Sequence, residues 1–440
     1  MARPPHRTAA ILAIGDELAI GQKLDTNSQW IATRLLELGV VTCEHATVDD
    51  ERPRIAFALE RLAGLHDLVI CTGGLGPTPD DLTRHALADA MHESLVEDPD
   101  AREAIERWFA RRGRALRETN LVQALRPSSA RCLDNEFGTA PGLAGRIGNA
   151  DVFVLPGPPR EMRPMFERFV EPAIRREPGR LVRTHVMQSV GLGESEVSAR
   201  LGEMLARTSS PTVGLTASSG VVTVRIRYEG EEHGAQTEID RVRERVRAQL
   251  GAHVFAEGEA SLAEACLERL CERGERLLVV ESCTGGMLGS ALVDVPGSSD
   301  AFLGGCITYS NDMKADRVGV SRDDLDAPDI GAVSERVASQ MARGAIERLG
   351  TGELHALAIS GVAGPGGGSE RKPVGTVCIA HAHRAASSAE PTVRAITLRI
   401  TGDRTAVRRR SVQSALAMLH FALIDHPIPT LLWQRGSGGE

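Results

Sequence analysis

Apolar and polar positions follow two alternating periods along this chain, and the switches between them mark its elements. Thr8–Ile14 is an unbroken apolar run closed by Gly15, as expected of a strand buried on both faces. Trp30, Ile31, Leu35 and Leu38 then recur at helical spacing up to Gly39, and residues 40–48 read as the next strand. Pro53 opens a helix at its first position, with Gly64 just past the end, and residues 67–71 form another buried strand. This βαβαβ order predicts a mostly parallel, doubly wound sheet. Residues 98–136 are more helical and then irregular. Residues 138–142 read as a turn, and a strand returns at 152–155.

The pattern shifts near 172–183. Strands at 184–190, 212–216, 221–228 and 253–255 interleave with helices at 193–205 and 236–250. Val222, Val224, Ile226 and Tyr228 share one face of the third strand. That β-α-β-β-α-β order is the split, ferredoxin-like pattern of a small α+β domain without evident chemistry, read here as a spacer or assembly domain. Ser261 and Glu264 form a capping box that opens a third region. Strands follow at 277–281, 303–309, 355–360, 374–381 and 393–400, with a helix at 334–349 closed by Gly350 and a final helix capped by Asp403. The expected boundaries are 1–172, 173–257 and 258–428, with a tail at 429–440. The fold class is α/β: a doubly wound front domain, a ferredoxin-like middle domain and an α/β rear domain.

Composition narrows the function classes. Of 440 residues, 51 are basic and 59 acidic, a formal net charge of -8, and aromatics make up only 3%. Neither a basic field nor a stacking platform for nucleic acid is present. The eight cysteines are scattered without C-x-x-C spacing, which argues against a zinc site or a disulfide framework. With no apolar signal region and no run of membrane-spanning length, cytoplasm is the expected compartment and no membrane partner is expected.

Two stretches stand out for chemistry. The apolar run 277–280 ends in Glu281-Ser282-Cys283-Thr284-Gly285-Gly286, which places a hydroxyl at the carboxyl edge of a sheet before a glycine turn. Tyr309-Ser310-Asn311-Asp312-Met313-Lys314 follows the next strand. A lysine serves a serine nucleophile as base only if its pKa is lowered, so the pair points to a Ser/Lys amidohydrolase. Alternatively, Ser282 and Thr284 cap the next helix and Lys314 is a solvated surface charge. In the front domain, Thr72 to Asp81 is a glycine-rich turn at a strand end, suited to an anionic ligand or simply to turning the chain. Asp16, Glu17, Asp80 and Asp81 would surround it with carboxylates fit for a magnesium-type ion. Arg404, poorly placed for its helix dipole, is held by a ligand anion or by an ordinary salt bridge.

These motifs carry a resemblance. Residues 280–286, 308–314, 360–365, 372–377 and 402–404 resemble the nicotinamide-nucleotide amidase domain of the CinA-like family. Gly15-Asp16-Glu17-Leu18, Asp25-Thr26-Asn27, residues 72–81 and residues 156–162 resemble its partner domain, of the molybdopterin-binding MoaB/MogA-like fold. The resemblance implies deamidation of nicotinamide mononucleotide without a cofactor, with Ser282 as nucleophile, Lys314 as base and Tyr309 as support. Thr284, Gly285, Gly286, Asn311, Ser360, Gly361 and Arg404 would bind substrate. The front domain is implied to cleave ADP-ribose with a divalent metal (Mg, Mn or Co) on Glu17, Asp80 and Asp81. Gly73, Gly74, Gly76, Thr78 and Asn27 would hold the nucleotide phosphates there. A homodimer is the expected assembly. Two departures are that Ser360 and Val362 stand where Thr and Ile are expected, and that Asp16 precedes the front Glu. The competing class is a non-catalytic molybdopterin- or nucleotide-binding, or competence-related, protein. Loss of ammonia from substrate separates the two.

Overall fold

The computed structural model describes residues 3–386, 388 and 390–434. The chain divides into two compact units: residues 1–184 with 228–236, and residues 185–227 with 237–440.

In the first unit a six-stranded sheet has the order Val41–Val48, Thr8–Ile14, Leu68–Thr72, Ala150–Leu155, Gly142–Ile147, Arg131–Leu133. The first four strands are parallel and the last two antiparallel. Alternate residues of the first strand enter two cores. Ala10, Leu12 and Ile14 pack with Ile55, Leu59 and Leu62 of the helix Arg52–Leu65. Ala9 and Ile11 pack with Ile31 and Leu35 of the helix Thr26–Glu37, and with Met162 and Phe166. That two-faced burial is the doubly wound arrangement expected from the continuous apolar run. Two local readings are corrected. Gly64 lies inside its helix, which continues through Leu65 and stops at extended His66. Gly142 does not end a turn but begins the strand Gly142–Ile147, whose pairing with Ala150–Leu155 outweighs its glycine content.

The second unit contains two sheets. The small one orders Thr212–Ser218, Val221–Glu231, Arg180–Val190, Val254–Glu257, the ferredoxin-like arrangement the sequence predicts; two of its strands extend into residues assigned to the first unit. Val222, Val224 and Ile226 are buried on its helix-covered face. The larger sheet orders Phe302–Ile307, Arg276–Glu281, Leu354–Gly361, Thr376–Arg384, Thr392–Arg399. Its first three strands are parallel, so the ends of all three open on one edge. Leu277, Val279, Leu357 and Ile359 face the helices Leu262–Arg273 and Arg404–Leu423. Leu278, Val280, Ala356 and Ala358 face the helix Glu335–Leu349. The capping box is formed: Ser261 Oγ accepts from the Glu264 N–H at 3.1 Å. Asp403 caps the last helix, accepting from the Ala406 N–H at 2.7 Å. Of the expected tail, residues 429–434 pack on this unit, with the Leu432 N–H donating to Gly191 O at 3.1 Å and Leu431 buried. Residues 435–440 lie outside the described residues.

One helix contact fixes the position of the short helix Asn311–Val318. A methyl group at Gly344, on the helix Glu335–Leu349, would run into the Val318 carbonyl. Gly344→Ala gains helix propensity but forces the two helices apart. A net loss of about 1–2 kcal/mol in urea unfolding is expected, against the gain of up to about 1 kcal/mol that propensity alone would give.

Candidate active site

Ser282 follows the strand Arg276–Glu281, and its N–H donates to Ile359 O on the neighbouring strand at 2.9 Å. Backbone pairing therefore continues up to the hydroxyl-bearing residue. On the other side, the Thr308 N–H donates to Glu281 O at 2.8 Å. Ser310 then caps the helix Asn311–Val318. Lys314 stands just past its first turn and points inward, only 2% exposed. Its Nζ lies 3.2 Å from Ser282 Oγ and donates to Thr308 O at 2.8 Å. Burial holds the Lys314 ammonium below its ordinary 10.5. A helix start also disfavours a nearby cation. Among the described residues no carboxylate hydrogen-bonds to Nζ. Lys314 is therefore not a solvated charge, and Ser282 and Thr284 make no capping bond.

Glu281, which sequence reasoning passed over, shapes the turn. Its Oε2 accepts from the Gly286 and Leu288 N–H groups, both at 3.0 Å, and its Oε1 from the Gly289 N–H at 2.8 Å. Gly286 can begin the helix Met287–Val293 at φ 92°, a conformation that costs other residues more. The Gly285 N–H is likewise taken, by Ser282 O at 3.0 Å. Among the described residues, the Thr284 N–H finds no acceptor and the Cys283 N–H meets only its own thiol, so the donors left in this turn come earlier than the glycines. The buried hydroxyl oxygens of Thr284 and Thr308 also lack partners. Burial pushes the Cys283 thiol up to about 12, which makes it a poor competing nucleophile.

The remaining expected residues sit around this pair. Tyr309 is exposed and does not touch Ser282 or Lys314; its hydroxyl accepts from Arg404 Nη2 at 3.3 Å. Arg404 Nη1 donates to Gly364 O at 2.7 Å, so backbone and phenol hold it rather than an acid. Asn311 is exposed at the first position of the lysine-bearing helix. Ser360 is buried and donates to Ala332 O at 2.6 Å, while Gly361 pairs with Val377 in the sheet. A further cation was missed. Arg408 Nη2 donates to Thr284 O at 2.6 Å, and its buried Nε has no partner. Arg408 lies one helical turn after Arg404, a spacing that could have drawn attention to it.

In the first unit, a cleft of about 690 Å³ opens at the carboxyl ends of the parallel strands, lined by Glu17, Asn27, Asp50, Gly73, Gly74, Gly76, Asp80 and Asp81 among others. Gly73, at φ 108°, sits where a side chain would strike the Ile14 carbonyl. The fully buried guanidinium of Arg84 donates to Leu75 O and Gly76 O, and burial holds its pKa down to about 10. Asn27 Nδ2 donates to Gly157 O at 2.8 Å, and Glu17 pairs with Lys23 at 3.3 Å. Asp81 accepts from the Thr78 N–H at 2.8 Å and from its hydroxyl, so Asp81 and Thr78 serve the turn itself. Asp50 was missed. Burial raises its pKa, assisted by the charges of Asp16, Asp80 and Glu17, so four carboxylates meet here. Its place after the strand Val41–Val48 is the same strand-end signal that singled out Glu17 and Asp80.

Three sequence families match in chain order: "Probable molybdopterin binding domain" over residues 10–176, "Damage-inducible protein CinA KH domain" over 184–256, and "CinA C-terminal domain" over 259–423. A "Putative competence-damage inducible protein" of Symbiobacterium thermophilum is 40% identical over 95% of this chain and 99% of its own length. A "CinA-like protein" of Geobacter metallireducens is 41% identical over the same shares. Among solved structures, the CinA protein of Thermoplasma acidophilum, described as of unknown function, is 32% identical over 38% of this chain and 99% of its own, with a TM-score of 0.36. With relatives this similar over nearly their whole length, the chain belongs to the CinA family.

Proposed function

We propose that this protein hydrolyses the carboxamide of nicotinamide mononucleotide, giving nicotinate mononucleotide and ammonia. The observation that carries the reading is the buried lysine 3.2 Å from a strand-end serine hydroxyl, with no carboxylate bonded to it. A neutral Lys314 keeps a lone pair to accept the Ser282 proton. The alkoxide attacks the carboxamide carbon, and the tetrahedral oxyanion meets the Cys283 and Thr284 N–H groups, a type of contact worth about a hundredfold or more in rate. The C–N bond breaks as Lys314 returns the proton to the departing amine, which leaves as ammonia. Water, deprotonated by the same lysine, then hydrolyses the nicotinoyl ester of Ser282. Arg404 and Tyr309 bracket a position for the ribose phosphate, and Arg408 steadies the turn through the Thr284 carbonyl.

For the front domain the proposed reaction is metal-dependent cleavage of ADP-ribose. Asp50, Asp16, Glu17 and Asp80 fit a divalent cation, because Asp50 feels three carboxylate neighbours and the Lys23 ammonium pairs with only one of them, Glu17. Bound there, such an ion would neutralise the phosphate oxygens of the substrate. Asp81, whose Oδ2 accepts from Thr78, keeps its Oδ1 for the same ion.

Ammonia release from nicotinamide mononucleotide tests the first reading. Ser282→Ala and Lys314→Ala should each lower turnover by at least about a thousandfold while circular dichroism stays native. Wild-type turnover in Lys314→Ala would remove the assigned base. Activity should rise with pH as Lys314 loses its proton, with a midpoint below 10.5. Between that midpoint and 10.5 the unfolded chain binds a proton that the folded chain does not. Stability should therefore rise with pH across this window, and Lys314→Met should flatten the rise. For the front site, Asp50→Asn should reduce metal-dependent ADP-ribose cleavage by tenfold or more without changing ammonia release. Equal loss of both activities would indicate misfolding instead.

A further inference from the structure

At the edge of the rear sheet opposite Ser282, four side chains with lone pairs converge. Glu275 directly precedes the strand Arg276–Glu281, and His355 lies near the start of Leu354–Gly361. His381 and His383 lie near the end of the antiparallel strand Thr376–Arg384. Register sets His355 opposite His383, and His381, two residues away, shares their face. Glu275 and His355 are almost wholly buried. His355 Nε2 stands 2.8 Å from Glu275 Oε2, and its Nδ1 stands 2.9 Å from His381 Nε2. One ligating atom each from Glu275, His355 and His383 falls within 4.8 Å of the other two.

We propose that Glu275, His355 and His383 form a binding site for a zinc-class transition-metal dication, separate from the front cleft and from the Ser282/Lys314 site. Two imidazoles and one carboxylate are a donor set such ions accept, with a fourth position left for water. Bonds of about 2.0–2.1 Å place tetrahedral ligands about 3.3 Å apart, so the group needs only modest contraction. An outer layer is in place as well: Arg273 Nε donates to Glu275 Oε1 at 2.9 Å, and His381 adjoins the far nitrogen of His355.

Two adjustments accompany ligation. His355, which donates through Nε2–H to Glu275 in the metal-free chain, carries its proton on Nδ1 and donates to His381 Nε2. His381 in turn carries its proton on Nδ1, so these rings lose no net proton. The rings of His355 and His383 lie stacked at 4.3 Å and 10°, which leaves their lone pairs nearly parallel. His383 must therefore turn. Its ring is partly exposed, its Nε2 makes no hydrogen bond, and Glu353 stands 3.7 Å away. A bound ion would join the central strand to its two neighbours at the end away from the nucleophile.

Cobalt(II) titration of the chelator-stripped full-length protein tests the site. The expected result is one equivalent that brings the intense visible bands of four-coordinate, histidine-ligated cobalt, apart from any weakly absorbing cobalt on the front carboxylates. His383→Ala and the milder His383→Gln should abolish those bands while keeping wild-type circular dichroism. A Glu17→Gln/Asp50→Asn variant should retain them, since carboxylate sites give only weak absorption. Zinc should raise the unfolding midpoint of the wild type by several degrees and that of His383→Ala by none. Absence of the bands in the wild type, or their persistence in both His383 variants, would overturn the proposal and leave a hydrogen-bonded histidine stack.

Discussion

An amine buried without a carboxylate bonded to it is the constraint on which the rear domain depends. Lys314 cannot keep both its burial and its proton cheaply, because an ammonium loses hydration that two hydrogen bonds replace only in part. Packing thus sets protonation, and protonation sets chemistry. The close approach at Gly344 and Val318 keeps the lysine-bearing helix against the sheet, and the Ser310 cap fixes where that helix begins. Thr308 O takes one N–H of the amine and so orients the remaining lone pair toward Ser282. A looser helix would admit water and return the Lys314 pKa toward its ordinary 10.5.

Glu281 is the necessary counterpart. A carboxylate next to the nucleophile would ordinarily compete as a base or raise the lysine pKa by attraction. Here both of its oxygens are engaged by three backbone N–H groups at the start of a helix, where negative charge is most favourable. The same engagement takes the glycine amides out of the donor set of the turn. Gly286 gives its N–H to Glu281 and Gly285 gives its own to Ser282 O, so the glycines bend the chain while Cys283 and Thr284 keep the donors that remain.

Much of this was legible in the sequence because it is local. The run Thr8–Ile14, the capping box at Ser261 and the Asp403 cap are each signalled by neighbouring residues, and each forms as expected. Ser282 was legible as a strand-end residue and Lys314 as a lysine following the next strand, but their 3.2 Å approach spans 32 positions and follows only from the parallel pairing of the strands. Arg408 reaches Thr284 across 124 positions; its spacing from Arg404 marks a shared helix face but not this partner. Within Leu-Leu-Val-Val-Glu, the apolar flank shows that Glu281 is buried but not where its carboxylate turns. Gly64 and the strand Gly142–Ile147 were misread for the opposite reason: glycine marks turns on average, while tertiary pairing decides the individual case.

Both sites use the same topological position and opposite electrostatics. Parallel strands bring their carboxyl ends to one edge, and the loops beyond them carry Asp16, Asp50 and the Gly73 turn in one sheet, Ser282 and Thr308 in the other. At the front, burial and then three neighbouring carboxylates raise the Asp50 pKa, a setting in which a bound cation would be favoured. At the rear, burial disfavours the Lys314 ammonium, and an uncharged base needs no counter-ion to act. A phosphoanhydride gains from a cation placed across its oxygens, whereas a carboxamide beside a pyridinium gains from an uncharged base and a pair of amide donors. The electrostatics of each cleft therefore agree with the bond each is proposed to break, by opposite routes from one strand-end geometry.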